Sequence, residues 1–267
     1  VAEVPLFARP EALLPVGTHY CPGCSHGLIH RLVAELLDEL GVRRRTVLIA
    51  SVGCSVLAYD YFATDVQEAA HGRAPAAATG VKRARPELFV LAYQGDGDLA
   101  SIGAAEIVHC ANRGEKVSVV FVNNATYGMT GGQMAPTSLP EQETATSPGG
   151  RDAGETGYPI RVAELLTSLR TPAFIARGAV HTPRHAIQAK ELLRQAFRCQ
   201  VEGRCFSLVE LLAICPTNWG LPPAEAGRWL EQRMIPYYPL GVFKTPDGAD
   251  RAPLPLSAPG PRGEEGR

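Results

Sequence analysis

The sequence has no run of about 18 apolar residues, the minimum for a helix that crosses a bilayer. Its first residues, VAEVPLFARPEALLPVG, carry neither the basic start nor the unbroken apolar stretch of a secretory leader. A cytoplasmic protein with no membrane partner is expected. An excess of charge of either sign is also missing: 26 Lys and Arg against 27 Asp and Glu leave a formal charge of -1, which excludes the basic footprint of a general nucleic-acid binder. GxxxxGK(S/T), GxGxxG and CxxCH are absent, so the common ATP, dinucleotide and covalent-haem sites lack their motifs. No internal repeat is present. Seven cysteines, an odd number in a chain long enough to build a core, argue against a disulfide framework and for reduced thiols, metal ligation or redox chemistry. The 45% apolar and 20% charged residues are those of an ordinary globular protein.

What is present is alternation. Ser25 can cap a helix whose Leu28, Ile29, Leu32, Val33, Leu36, Leu37 and Leu40 follow helical spacing, and Gly41 ends it. Strands are expected at Thr46–Ser51, Leu88–Tyr93, Val117–Val122, Ala173–Val180 and Phe206–Ile214, where short apolar runs are rich in β-branched residues. Helices are expected at Ala76–Arg85, Leu99–Asn112, Arg161–Leu169, Pro183–Cys199 with Thr182 as cap, and Pro223–Met234. Residues 123–158 have no periodicity but many Gly, Thr, Pro and Ser, and so long a loop inside a compact domain is read as functional. Near-continuous apolar strands separated by helices describe an α/β fold, a parallel sheet covered by helices on both faces. Residues 1–20 form an irregular leading segment, 21–240 the domain, and 245–267, rich in Pro, Gly and charge, a mobile tail.

Ligands of open parallel sheets bind outside the carboxyl ends of the strands. Gly53, Cys54 and Ser55 follow the first expected strand, Gly95 to Asp98 the second, Asn123 and Asn124 the third, and Cys215 the last; Cys21 and Cys24 stand just before the first helix. In QGDGDLASIG the glycines permit a sharp turn and close backbone approach, Asp96 offers hard oxygens, and the helix start that follows favours phosphate. A capped turn alone would explain that much. One helix and one strand, however, separate Gly97 from Asn123 and Asn124, which brings Asp96 and the asparagines to neighbouring strand ends. A carboxylate, an Asn carbonyl and a backbone carbonyl suit Mg²⁺, which shares its octahedron with phosphates.

CPGC at a helix start reads as a redox pair, half of a zinc site or half of an iron–sulfur site. With Cys54 and Cys215 at the same sheet edge, Cys21 and Cys24 can complete a four-thiolate set. Cys110, Cys199 and Cys205 read as buried small hydrophobes. Arg73 suits a substrate carboxylate, a phosphate or a surface ion pair. His26, His30, His109, His181 and His185 read as structural or solvent-facing, and Tyr127, Met129 and Gln133 fall where a cofactor-covering loop would be.

The GDG...NN pair resembles the diphosphate- and magnesium-binding signature of thiamine diphosphate enzymes. Together with CPGCSHG, VGCS, AHGRAPAAATG, NNATYGMTGGQ and CPTNWG, it resembles the beta subunit of 2-oxoacid:ferredoxin oxidoreductases over roughly residues 15–240, of the 2-oxoglutarate or 2-oxoisovalerate type. The resemblance implies that Asp96 and Asn124 bind Mg²⁺ through side chains and Thr126 through its carbonyl, with Asn123 structural. It puts Gly97, Asp98, Gly128 and Met129 at the cofactor's diphosphate region, and Val52, Gly53, Cys54, Ser55 and His71 along its rings. A 4Fe–4S cluster falls on Cys21, Cys24, Cys54 and Cys215. The implied reaction is oxidative decarboxylation of a 2-oxoacid with coenzyme A to acyl-CoA and CO2, with reduction of ferredoxin. The activating glutamate is expected on an alpha subunit, with gamma and delta subunits as further partners. Two other classes use only half of these residues: a non-oxidative thiamine decarboxylase or synthase leaves the cysteines idle, and a non-catalytic iron–sulfur subunit leaves Asp96 and Asn124 idle.

Overall fold

The computed structural model describes residues 8–247. Seven strands, β1 (Thr46–Ser51), β2 (Asp65–Ala69), β3 (Phe89–Gly95), β4 (Ser118–Asn123), β5 (Ala173–Ala179), β6 (Phe206–Leu212) and β7 (Gly241–Lys244), form one sheet in the order β2-β1-β3-β4-β6-β5-β7. All neighbours are parallel except β5 and β7, which pair antiparallel. The α/β reading therefore stands, with an antiparallel edge added. The helices are α1 (His26–Glu39), α2 (Ala74–Ala84), α3 (Ala104–Asn112), α4 (Ala153–Thr156), α5 (Val162–Thr167), α6 (Pro183–Val201), α7 (Pro216–Trp219), α8 (Pro223–Trp229) and α9 (Ile235–Tyr237). No helix among the described residues is long and apolar enough to cross a membrane.

Alternation within the strands feeds two cores, one on each face. Leu91 and Tyr93 of β3 and Val120 and Val122 of β4 meet Ile29, Val33 and Leu36 of α1 and Leu193 and Phe197 of α6. Val90, Ala92, Val119 and Phe121 face the other way, against Ala78 of α2, Ile107 of α3 and Leu166 of α5. Each fully buried Leu, Ile or Phe contributes on the order of 1.5–3 kcal/mol of transfer free energy, so both faces of the sheet are held strongly. A third, smaller core under α8 joins Leu230, Met234 and Tyr238 to Ala125 and Leu139 of the long loop.

The helix ends differ in detail from their sequence reading. Thr182 caps α6 by accepting from the His185 N–H, as expected. Ser25 precedes α1 but does not cap it: its hydroxyl accepts from the backbone N–H of Ile214 at 3.0 Å, tying the helix start to the end of β6. The helix expected over Leu99–Asn112 begins with a wide turn at Asp98–Ile102, closed by the Gly103 N–H on the Asp98 carbonyl at 2.9 Å, and only then continues as α3. Strands β2 and β7 were not apparent from the sequence. Of the leading segment, residues 1–7 lie outside the described residues; residues 8–20 are irregular yet anchored, with Ala12 fully buried and bridged to the Tyr61–Ala63 stretch through backbone bonds. Of the expected tail 245–267, residues 248–267 lie outside the described residues.

Candidate functional site

A cleft of about 460 Å³ opens at the carboxyl ends of β1, β3 and β4. Every residue assigned from the sequence to the cofactor or to magnesium lines it: Val52, Gly53, Cys54 and Ser55 from the turn after β1, His71 beyond β2, Asp96, Gly97 and Asp98 after β3, and Asn124, Thr126, Gly128 and Met129 after β4. Cys21, Cys24 and Cys215 do not line it.

Asp96 is the buried anion of this cleft. One oxygen accepts from the Gly97 N–H at 2.9 Å and the other from the Thr137 hydroxyl at 2.6 Å. Burial pushes its carboxyl up to about 6, against the opposing effect of the Thr137 and Gly97 bonds. The main influences on its carboxyl include no cationic side chain. Asn124 is nearly as buried, and its side-chain oxygen accepts from the Thr126 N–H at 3.3 Å. Between them Ala125 takes a positive φ of 55°, costly for a residue with a Cβ. The turn is held from several sides. Asn123 accepts from the Ala125 N–H, while Ser138 and Gln142 both donate to the Ala125 carbonyl, at 2.7 and 2.9 Å. Asp96, Asn124 and Thr126 thus line one cleft at neighbouring strand ends.

The long loop is what closes this arrangement. Buried Arg151 donates to the carbonyls of Pro136, Ser138 and Gly157, folding residues 135–157 back on themselves. Thr137 is held in turn by Tyr238, whose hydroxyl donates to the Thr137 carbonyl at 2.7 Å. Tyr238 flanks the fully buried Arg177, which bonds Glu210 at 2.8 Å and Glu164 at 2.6 Å. Asn123 donates to the same Glu210 at 2.7 Å, so it serves structure, in keeping with its expected part.

Asp98 faces the cleft from behind. Its carboxylate accepts from the Ser51 hydroxyl at 2.9 Å, the Gln94 amide at 2.7 Å and the Gly72 N–H, which bracket the turn after β3 against the segment carrying His71. His71 donates through Nδ1 to the Val52 carbonyl at 3.1 Å, and the same nitrogen lies 3.5 Å from the Asp98 carboxylate. Gly97 does not need its conformational freedom, having an ordinary helical backbone; a Cβ there would run into the Tyr127 ring. Arg73 is the surface ion pair, bound to Glu106 and to the Ile102 carbonyl at 3.1 Å.

Beside the cleft lie the thiols. The Cys24 N–H closes a turn on the Cys21 carbonyl at 2.9 Å, and Gly23, at φ 78°, leaves no room for a Cβ against Pro223, so the CPGC turn seats next to the Cys215 segment. Tyr20 donates to the Cys54 carbonyl at 3.0 Å. Burial raises the Cys54 thiol to about 12, and Cys24, Cys215 and Cys21 each add to the rise. Cys24 goes to about 11 through burial, with Cys215 and Cys21 adding. Cys215 is raised by burial, opposed by Asn218 and reinforced by Asp96 and Cys21. Every pair among the four thiols therefore interacts electrostatically. Yet among the described residues no three His, Cys, Asp or Glu side chains close around a point that a single ion could occupy. Cys110, Cys199 and Cys205 are buried, as expected.

Sequence reasoning missed Thr137 and underrated His26. His26 lines the cleft with a buried ring stacked on Tyr20 at 5.0 Å, and its Nδ1 pairs with the Tyr93 hydroxyl at 2.7 Å. Burial lowers its pKa to about 4 and keeps it neutral. The near-continuous apolar run that marks β3 gave no hint of that bond.

Residues 51–211 match the family profile of the thiamine pyrophosphate enzymes, C-terminal TPP-binding domain. The chain is 48% identical over 239 residues to the ketoisovalerate oxidoreductase subunit VorA of Methanothermobacter marburgensis, covering 90% of this chain and 50% of that one. It is 33% identical over 253 residues to the 2-oxoglutarate synthase subunit KorB of Archaeoglobus fulgidus, covering 91% and 89%. Among solved structures, the 2-oxoglutarate:ferredoxin oxidoreductase of Magnetococcus marinus, with 2-oxoglutarate, coenzyme A and succinyl-CoA bound, superposes with a TM-score of 0.69 at 30% identity, over 79% of this chain and 69% of that one. The chain belongs to the thiamine pyrophosphate enzymes and, within them, to the family of 2-oxoacid:ferredoxin oxidoreductase subunits. It spans about half the length of the VorA relative.

Proposed function

We propose that this chain is the cofactor- and cluster-bearing beta subunit of a 2-oxoacid:ferredoxin oxidoreductase, acting in the CoA-dependent oxidative decarboxylation of a 2-oxoacid. One observation carries the reading: a single cleft collects every residue assigned to thiamine diphosphate and Mg²⁺, and Cys54 belongs both to that cleft and to the four-thiol set beside it. Residues 21–240 are taken as the thiamine diphosphate-binding domain. Asp96, Asn124 and the Thr126 carbonyl would hold Mg²⁺ against the diphosphate, and Cys21, Cys24, Cys54 and Cys215 a 4Fe–4S cluster. Bound thiamine diphosphate supplies the electron sink for decarboxylation.

The chain's own residues orient and shield. Thr137 and the Gly97 N–H aim Asp96, Asp98 locks the β3 turn to the His71 segment, and the 127–133 loop covers the cleft. An alpha subunit would bring the activating glutamate, and ferredoxin would take the electrons. Among the described residues lining the cleft none is Lys or Arg, while Val52 and Met129 stand exposed at it. A second substrate carboxylate wants a cationic partner, so the lining favours a branched, apolar 2-oxoacid such as 2-oxoisovalerate over 2-oxoglutarate. Seven free cysteines support a reducing, cytoplasmic setting.

The deciding measurement is iron, acid-labile sulfide and zinc in the anaerobically purified complex, with an electron paramagnetic resonance spectrum after dithionite. About four irons and four sulfides attributable to this chain are expected. Zinc without sulfide would replace the reading by a non-oxidative thiamine enzyme. In the same preparation, 2-oxoisovalerate should reduce ferredoxin faster than 2-oxoglutarate; the reverse order would overturn the substrate assignment.

A further inference from the structure

Asn218 lies in α7, three residues after Cys215, in the CPTNWG motif. Its side-chain nitrogen donates to the Cys215 sulfur at 3.3 Å and to the Gly128 carbonyl at 2.8 Å. An amide NH2 has two hydrogens, and both are spent here. The opposite orientation would turn an acceptor oxygen towards two acceptors, so the neighbours themselves fix which way the amide points.

The same side chain is wedged into the cofactor loop. Residues 127–133 form a small hairpin closed by the Tyr127–Gln133 bridge. On one limb, a Cβ at Gly128 would stand 3.2 Å from the Cys54 sulfur and 3.9 Å from the Asn218 nitrogen. On the other, a Cβ at Gly132 would stand 3.1 Å from the Asn218 Cβ. The backbone of the loop therefore threads between two of the four thiols, with Asn218 as the strut on the Cys215 side.

We propose that Asn218 is a positioning residue that ties the Cys215 sulfur to the loop over the thiamine site, and that its N–H bond to that sulfur raises the reduction potential of the cluster. The proposal rests on the cluster reading given under Proposed function. Taking up one electron makes the cluster and its thiolates more negative, and an N–H aimed at a ligand sulfur stabilises the reduced form more than the oxidised one. The carbonyl of Gly128 and the sulfur of Cys215 share one rigid amide, so the geometry of the loop and the poise of the cluster are set together.

The test compares wild type with Asn218→Leu and Asn218→Asp in the co-expressed complex. Each is followed by a potentiometric titration monitored by paramagnetic resonance, and signals from clusters in partner subunits cancel in the difference. Both variants should shift the midpoint to more negative potential, the aspartate further because it adds charge, and both should release thiamine diphosphate severalfold faster on dialysis against Mg²⁺ buffer. An unchanged midpoint in a variant with full iron and sulfide would overturn the proposal while leaving the cluster reading intact. So would a lowered cluster content whose remainder titrates as wild type, since that is the mark of a merely structural role. Wild type lacking iron and sulfide would sink the cluster reading itself.

Discussion

Asp96 and Asn124 are locked by their own neighbours: a strained turn at Ala125, bonds from Thr137, Ser138 and Gln142, and the buried Arg177 network behind them. The four thiols beside them are gathered from three distant stretches of chain, and burial and their mutual repulsion oppose ionisation of Cys24, Cys54 and Cys215. The first arrangement is preorganised, and on the proposed reading it would receive a cation and a phosphate. On the proposed reading, a metal centre would offset the cost of ionising the second set, since a cysteine binds metal only after its thiol has lost its proton. The cofactor half should thus tolerate loss of its neighbour, whereas the thiol half should depend on being filled.

The sharpest way to break this contrast is Cys54→Ala. One of four thiolates is lost, so iron and sulfide should fall to background while Mg²⁺-dependent binding of thiamine diphosphate, measured by calorimetry, survives. Asp96→Ala should do the reverse: cofactor affinity falls on the order of 100-fold, at the upper end of what disturbing a metal site costs, with iron and sulfide unchanged. Loss of the cluster in that variant would show that the two halves do not separate. Thr137→Val removes only the bond that aims Asp96, and about a tenfold loss in cofactor affinity is expected.

A smaller effect concerns a buried histidine of α1. His30 is buried with both ring nitrogens unpartnered, and burial together with neighbouring His26 holds its pKa well below the usual value. The unfolded chain takes up a proton that the folded chain refuses. Stability should therefore be intact above about pH 6.5 and fall as pH drops below it, at up to ~1.4 kcal/mol per unit. Urea unfolding at neutral and acid pH should show a flatter dependence in His30→Leu, the residue due to His26. Smallest of all, Cys110→Ala should leave metal content and cofactor binding untouched and cost on the order of 1 kcal/mol. A change in iron would mean that the thiol set has been drawn wrongly.

Legibility from sequence followed the same division. The apolar strands and helix spacings were readable because each buried face imposes its period on the chain, and the GDG and NN pairs because strand ends in a parallel sheet all point one way. Strand β2 was hidden: DVQEA is an edge strand, mostly exposed, so no apolar run marks it. Four-residue β7 is too short to carry a pattern. Ser25 read as a cap because its type and position fit one, but a partner at Ile214 won the hydroxyl. Thr137 and Arg151 lie in an aperiodic loop, where their partners are set by tertiary folding alone.

The Ser25–Ile214 bond joins residues 189 positions apart and seats the CPGC turn beside Cys215. At a synthesis rate of roughly 5–20 residues per second, that interval takes roughly 10–40 s. During it Cys21 and Cys24 are an open dithiol on a nascent chain, with neither β6 nor Cys215 yet made. Any centre held by all four thiols is consequently completed only after Cys215 is made, and the time that Cys21 and Cys24 spend without that partner is fixed by the order of the residues along the chain.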